Sequence, residues 1–129
     1  MASIFTKIID REIPGHIVHE DEHHIAILDI NPNVPGHTLC IPKKEVNKLF
    51  DLSESEYLHL MSFSRRVALA LEKAVPCKRI GVSVIGLEVP HVHVHLIPLQ
   101  NMDDIRFEKK VSLRSEDFEI LIQKTQKYL

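Results

Sequence analysis

His91-Val92-His93-Val94-His95-Leu96-Ile97 decides how this chain folds and what it can do. Side chains alternate across an extended strand. The stretch therefore predicts a strand with Val92, Val94 and Leu96 on one face and three imidazoles on the other, the apolar set turned to a core. A solvated face that merely uses histidine accounts for one such residue, but not for three in strict alternation, because histidine has no advantage over Thr or Lys on an open strand. Two chemistries remain. Three imidazoles can hold zinc with water as the fourth ligand. Ligands on a single strand make a poor tetrahedron, however, so zinc ranks second. The other chemistry is nucleophilic: a neutral imidazole near pH 7 can attack phosphorus and form a covalent intermediate. Adjacent imidazoles cannot all be charged at once, so their titrations couple, leaving some neutral and some able to donate protons.

Working outward, Arg79 to Ile85 reads as a neighbouring strand, with Gly86 to Pro90 linking it to the triad. Ser53-Glu54-Ser55-Glu56 is a capping box that opens a long helix to about Ala74. Leu58, Met61, Arg65, Ala68 and Leu71 or Glu72 follow the helical period along it. Upstream, Ser3 can cap a helix through about Arg11, ended by Pro14-Gly15. His16–Glu20, His24–Asp29 and His37–Ile41 then read as strands, and Lys43–Leu52 as a short helix or loop. Downstream, Ser115 caps a terminal helix whose apolar stripe is Phe118, Leu121, Ile122 and Leu129. Short links between strands predict an α+β fold: a mainly antiparallel five-stranded sheet with one long helix and shorter terminal helices.

The 129 residues fit a single domain, 1–129. At 44% hydrophobic and 26% charged, with a formal net charge of −2, the composition is globular and argues against broad attraction to nucleic acid or membrane. Cys40 and Cys77 form no CxxC and read as two reduced thiols. With no basic stretch and apolar run after Met1-Ala2-Ser3-Ile4-Phe5-Thr6-Lys7, they predict a cytoplasmic setting without a signal peptide. No apolar run approaches a membrane span.

The stretch His91–Ile97 resembles the His-φ-His-φ-His-φ-φ motif of the histidine-triad superfamily, φ being apolar. Ile4-Phe5-Thr6-Lys7-Ile8-Ile9 with Glu12-Ile13-Pro14 is similar to the N-terminal segment of its nucleotide-binding branch. Ala26–Pro32 and Pro35–Lys44 are similar to the central segment. The likeness runs in order from about residue 4 to 98. It implies a homodimeric α+β enzyme that attacks the α-phosphate of purine nucleotide derivatives through a covalent nucleotidyl-histidine. Nucleoside phosphoramidase is the leading activity. Dinucleoside polyphosphate hydrolase, or a slow nucleotide-binding regulatory module, is the alternative. By this resemblance His93 is the nucleophile, His91 orients it and sets its protonation, His95 contacts the phosphate and assists the leaving group, and His37 supports them. Asp29 matches the ribose-binding acid; one carboxylate can accept from both ribose hydroxyls. Ile4, Phe5, Ile8, Ile27 and Ile30 match apolar positions around the base, and some of these are expected to be plain core.

The chain also departs from its relatives. Where many carry Gly-Gln-(Ser/Thr) before the triad, it has Gly86-Leu87-Glu88; Gly86 and Glu88 border the expected phosphate path, with an apolar group and a carboxylate in place of phosphate donors. Thr6 stands where some relatives carry a cysteine, so no structural zinc is expected, nor any metal or cofactor. The tail from residue 99 diverges, and its Arg106, Lys109, Lys110 and Arg114 read as a charged, solvated loop, with anion contacts as the alternative.

Overall fold

The computed structural model describes residues 2–129; Met1, the first residue of the N-terminal run read above, lies outside them. The chain runs α1 (Ile4–Ile9), β1 (Ile17–Glu20), β2 (His24–Leu28), β3 (Thr38–Pro42), α2 (Glu54–Ala74), β4 (Arg79–Ser83), β5 (Val94–Leu99) and α3 (Ser115–Gln126), with 3₁₀ turns at Leu49–Asp51 and Met102–Ile105. The strands form one sheet in the order β1-β2-β3-β5-β4, every pair antiparallel. This is the expected α+β architecture. No helix among the described residues is long and apolar enough to cross a membrane.

The sheet is apolar on both faces, and that placement creates the site. Ala26, Leu28, Cys40, Val94 and Leu96 face α2 and α3 in the larger core. On the opposite face Ile25, Ile27, Leu39 and Ile41 meet Phe5 and Ile8 of α1. Leu39 pairs with His95 across β3 and β5, so the triad's histidine side is the face that α1 covers in part. Val92, Val94 and Leu96 are buried in the larger core, as the alternation requires.

Local signals explain several boundaries. Ser53 Oγ accepts from the Glu56 N–H at 3.1 Å, and Glu56 Oε1 accepts from the Ser53 N–H at 2.9 Å, closing the expected capping box. Ser3 Oγ accepts from the Thr6 N–H and caps α1. That helix stops at Ile9, and Arg11 takes a left-handed conformation (φ 62°), so the chain turns before Pro14-Gly15.

Other boundaries and faces differ from the sequence reading. The strand expected at His91 begins at Val94, because the backbone ahead of it leaves the sheet: the His91 N–H bonds to Val89 O and the Val92 N–H to Val46 O. The preceding strand ends at Ser83, not Ile85. In α2 the buried stripe is Leu60, Phe63, Ser64, Val67, Ala70 and Leu71. Leu58, Arg65 and Glu72 of the expected stripe are exposed. The helix carries two apolar stripes, and the one bearing Phe63 gains more by leaving water. Arg114, not Ser115, is the N-cap of α3; its N–H donates to Asp117 Oδ2 at 2.9 Å. Leu129 lies past the helix and is exposed, while Thr125 takes the buried position. The two cysteines are unpaired, as expected.

Candidate active site

Four histidines meet on the α1 side of the sheet, and hydrogen-bond partners set the protonation pattern of each ring, backbone groups for three of them and the His37 ring for His95. A carbonyl oxygen only accepts, so a ring nitrogen bonded to one must carry hydrogen. His93 Nδ1 lies 2.7 Å from the His91 carbonyl oxygen and therefore donates to it, which leaves the lone pair on Nε2. His91 Nε2 donates to the Pro42 carbonyl at 2.8 Å. In its neutral form, its Nδ1 accepts from the Ser3 hydroxyl at 2.6 Å. His37 Nδ1 accepts from the Asn33 backbone N–H at 3.0 Å, so its Nε2 carries the proton donated to His95 Nδ1 at 2.9 Å. His95 must then hold its own proton on Nε2, at the edge of the ring away from His37.

Burial keeps the supporting rings neutral. It pushes His37 down to about 3 and His95 down to about 4, reinforced in each case by the neighbouring histidines and Lys110. Burial likewise lowers the pKa of His91, opposed by its bond to Pro42 and by the carboxylate of Glu45. His93 Nε2 and His95 Nε2 have no hydrogen-bond partner among the described residues. No buried polar side-chain atom there is left unpartnered, so both nitrogens reach solvent. The triad thus exposes one lone pair and one N–H from rings that are otherwise packed away.

The remaining expected residues divide. Phe5 packs edge-on against His93, ring centres 4.9 Å apart, and against His91 at 5.8 Å. Ile8 and Ile27 join Phe5 in the smaller core, the plain-core outcome. Ile4 and Ile30 are exposed. Asp29 follows β2; its Oδ1 accepts from the Asn31 N–H at 2.9 Å, and its Oδ2 stands 3.7 Å from His37 Nε2, whose proton goes to His95. Burial raises the Asp29 pKa, with Glu88 adding to the rise and Lys110 and His93 opposing it. A half-desolvated carboxylate with an unfilled oxygen is suited to accept from hydroxyls. Gly86 takes a left-handed conformation (φ 73°), and a Cβ there would meet nothing closer than 3.9 Å, so backbone conformation rather than space favours glycine. Leu87 and Glu88 are exposed.

Several relationships within the site escaped the sequence reading, although it names Asp29, His37 and His95 one by one. Asp29, His37 and His95 offer ligand atoms all within 4.8 Å of one another, a possible metal-ligand set drawn from three segments rather than one strand. Phe107 from the divergent tail packs edge-on against His95 (4.9 Å) and His37 (6.0 Å). Asn33 ties that tail to His37, since its Nδ2 donates to Asp104 O and its Oδ1 accepts from Lys110. Ser3 and Thr6 converge on Glu45, which accepts from the Ser3 N–H at 2.6 Å and from Thr6 Oγ1 at 2.7 Å. The sequence marks Ser3 only as a helix cap. Its place in the turn before α1 gave no sign of a partner 88 positions away.

The HIT domain family model matches residues 10–102. A HIT-like protein of Methanocaldococcus jannaschii is 39% identical over 99 residues, covering 74% of this chain and 77% of that one. The adenosine 5′-monophosphoramidase HNT1 of Saccharomyces cerevisiae is 38% identical over 98 residues, 75% of this chain and 62% of that protein. The crystal structure of a HIT-like protein from Bartonella henselae superposes with a TM-score of 0.86 at 32% identity, over 98% of this chain and 96% of that one. With its three histidines on one side of the chain and the rest of the fold in the same order, this protein belongs to the histidine-triad (HIT) family.

Proposed function

We propose that the protein is a nucleotide hydrolase whose His93 Nε2 attacks the α-phosphate of a purine nucleotide derivative, with nucleoside phosphoramidates preferred. The observation that carries this reading is the hydrogen bond from His93 Nδ1 to the His91 carbonyl, which leaves the lone pair on the solvent-accessible nitrogen. The likeness to a yeast adenosine 5′-monophosphoramidase supports the substrate class.

In the first step the Nε2–phosphorus bond forms as the phosphorus–nitrogen bond breaks, and the amine leaves with a proton from solvent. The imidazolium adduct keeps its Nδ1 proton on the His91 carbonyl, which stabilises the new positive charge. His95 Nε2–H serves as a neutral donor to a phosphoryl oxygen. It is a poor proton source, because a ring whose pKa is about 4 is almost never an imidazolium at neutral pH. Water then attacks phosphorus and loses a proton to solvent, the electron pair of the breaking bond returns to Nε2, and the nucleoside monophosphate departs. Asp29 holds the ribose hydroxyls, and the exposed Ile4 and Ile30 offer apolar contact to the base. No metal enters these steps. A cation on Asp29, His37 and His95 would have to displace the proton shared between the two rings.

A homodimer completes the reading. β4 is an edge strand with exposed Val82, and Leu69 is exposed on the α2 surface beside it, an apolar margin a second copy can cover. Sedimentation at micromolar concentration should give a dimer mass, and a monomer mass alone refutes this.

His93→Ala should lower kcat by roughly 10³-fold or more, and acid-free trapping of the unaltered enzyme should place the nucleotide on His93. Turnover should survive dialysis against a strong chelator. An adduct on another residue, or activity restored only by zinc, overturns the mechanism.

Substrate choice follows from Glu88. Its charge reaches the site, and each added phosphate of a polyphosphate meets repulsion of about 1 kcal/mol in water at contact distance. The ratio of kcat/KM should favour phosphoramidates over dinucleoside polyphosphates, and Glu88→Gln should narrow it. The opposite preference in the unmodified enzyme removes the phosphoramidase assignment.

Nitrogen-detected NMR of the imidazoles tests the proton pattern. At pH 6 His37 and His95 should both be neutral and protonated on Nε2. Because their folded pKa values lie below the unfolded value near 6.5, the unfolded chain takes up these protons first. Stability should therefore decline as pH falls from about 6.5 toward 3. Imidazolium signals from either ring at pH 6 contradict the pattern.

A further inference from the structure

The tail segment Phe107–Val111 lies beside the histidines and is fastened to the turn that holds His37. The Val111 N–H donates to Pro32 O at 3.0 Å. Lys110 Nζ donates to Asn33 Oδ1 at 2.7 Å and sits 4.8 Å from the centre of the Phe107 ring. That ring in turn packs on His95 and His37. Asn33 is itself fixed, because its backbone N–H bonds to His37 Nδ1 and its side chain donates to Asp104 O. The lysine is thus anchored by the residues that position the supporting histidine.

Among the described residues no carboxylate forms an ion pair with Lys110. An ammonium has three donors. Asn33 takes one and the face of Phe107 attracts the charge without consuming a donor, so donors remain for an anion. The two imidazoles beside it add no fixed positive charge, since burial keeps His37 and His95 uncharged. Lys110's charge is felt at Asp29, His37 and His95 alike. The Asp29 carboxylate repels a second anion on the ribose, which favours the imidazole end for any phosphate. The stretch Gly86-Leu87-Glu88 brings no cationic or amide side chain to this phosphate.

We propose that Lys110, held by Asn33 and Phe107, is an anion contact for the nucleotide 5′-phosphate and sets the preference for nucleotide over nucleoside. This rests on the nucleotide reading above and adds to it a specificity residue from the tail.

Calorimetric titration of the full chain with AMP and with adenosine separates the possibilities. Lys110→Met keeps much of the stem and removes the charge. It should weaken AMP binding about tenfold, the scale of one modest charge-assisted bond, while adenosine affinity changes by less than about twofold. Lys110→Arg should retain most of the AMP affinity, and Lys109→Met should leave the AMP-to-adenosine ratio unchanged. The salt dependence of AMP binding should flatten in Lys110→Met. Equal losses for both ligands would assign Lys110 to packing and overturn the proposal, as would undiminished AMP binding. If the unaltered protein binds AMP and only the variant pattern fails, this inference falls alone. If the unaltered protein binds neither ligand, the nucleotide reading falls with it.

Discussion

The proton that His93 Nδ1 gives to the carbonyl of His91 is the interaction on which the site depends. It joins two residues of the same motif, so the motif itself chooses the tautomer. With the proton held there, the lone pair must sit on Nε2, and the ring cannot rotate without losing a buried bond. The other rings repeat this logic with more distant partners: His91 on Pro42, and His37 on Asn33 and then His95. Each acceptor or donor is backbone at its root. A backbone group keeps its hydrogen-bonding character at any pH the fold survives, and so it is a firmer anchor than a carboxylate.

The rest of the fold supplies what this arrangement needs. A histidine packed away from water is costly when charged and tolerable when neutral and fully bonded. The sheet provides that burial by being apolar on both faces. One face takes α2 and α3; the other takes α1, whose Phe5 covers His91 and His93. Neutral neighbours then matter for chemistry. In the proposed reaction His93 becomes cationic on taking up a phosphoryl group, and that charge would further disfavour protonation of His37, His91 and His95. The proposed adduct would form beside dipoles, not beside competing cations.

Short-range features were legible in the sequence. The caps at Ser3 and Ser53 and the division of Val92, Val94 and Leu96 from the histidines follow from side-chain chemistry and period alone. Asp29 and His37 acquired roles only through the family resemblance, since each by itself is an ordinary residue at the edge of a strand. What was not legible was decided by partners far along the chain. The strand begins at Val94 because Val92 is drawn to Val46. The buried stripe of α2 is chosen by the sheet, because Leu58, Met61 and Ala68 make nearly as good a pattern as Leu60, Phe63 and Val67. Lys110 is exposed, as a solvated loop residue should be, but nothing near it in sequence reveals its bond to Asn33, 77 positions earlier.

The same long-range closure sets the electrostatics around Asp29. Glu88 raises its pKa and Lys110 lowers it, so residues from two separate loops act on one carboxylate in opposite senses. With the supporting imidazoles neutral, the site offers the free N–H of His95 but little fixed positive charge. Dipoles can stabilise the modest rearrangement of charge on a single phosphoryl group as its geometry changes. They are less able to compensate several whole charges, whose mutual repulsion extends beyond one hydrogen bond. In the proposed reading, one lysine and one glutamate acting on Asp29 in opposite senses suit a nucleotide with a single phosphate better than a long polyphosphate. On this account selectivity comes from the surrounding loops, while His93 and its carbonyl partner supply the reactivity.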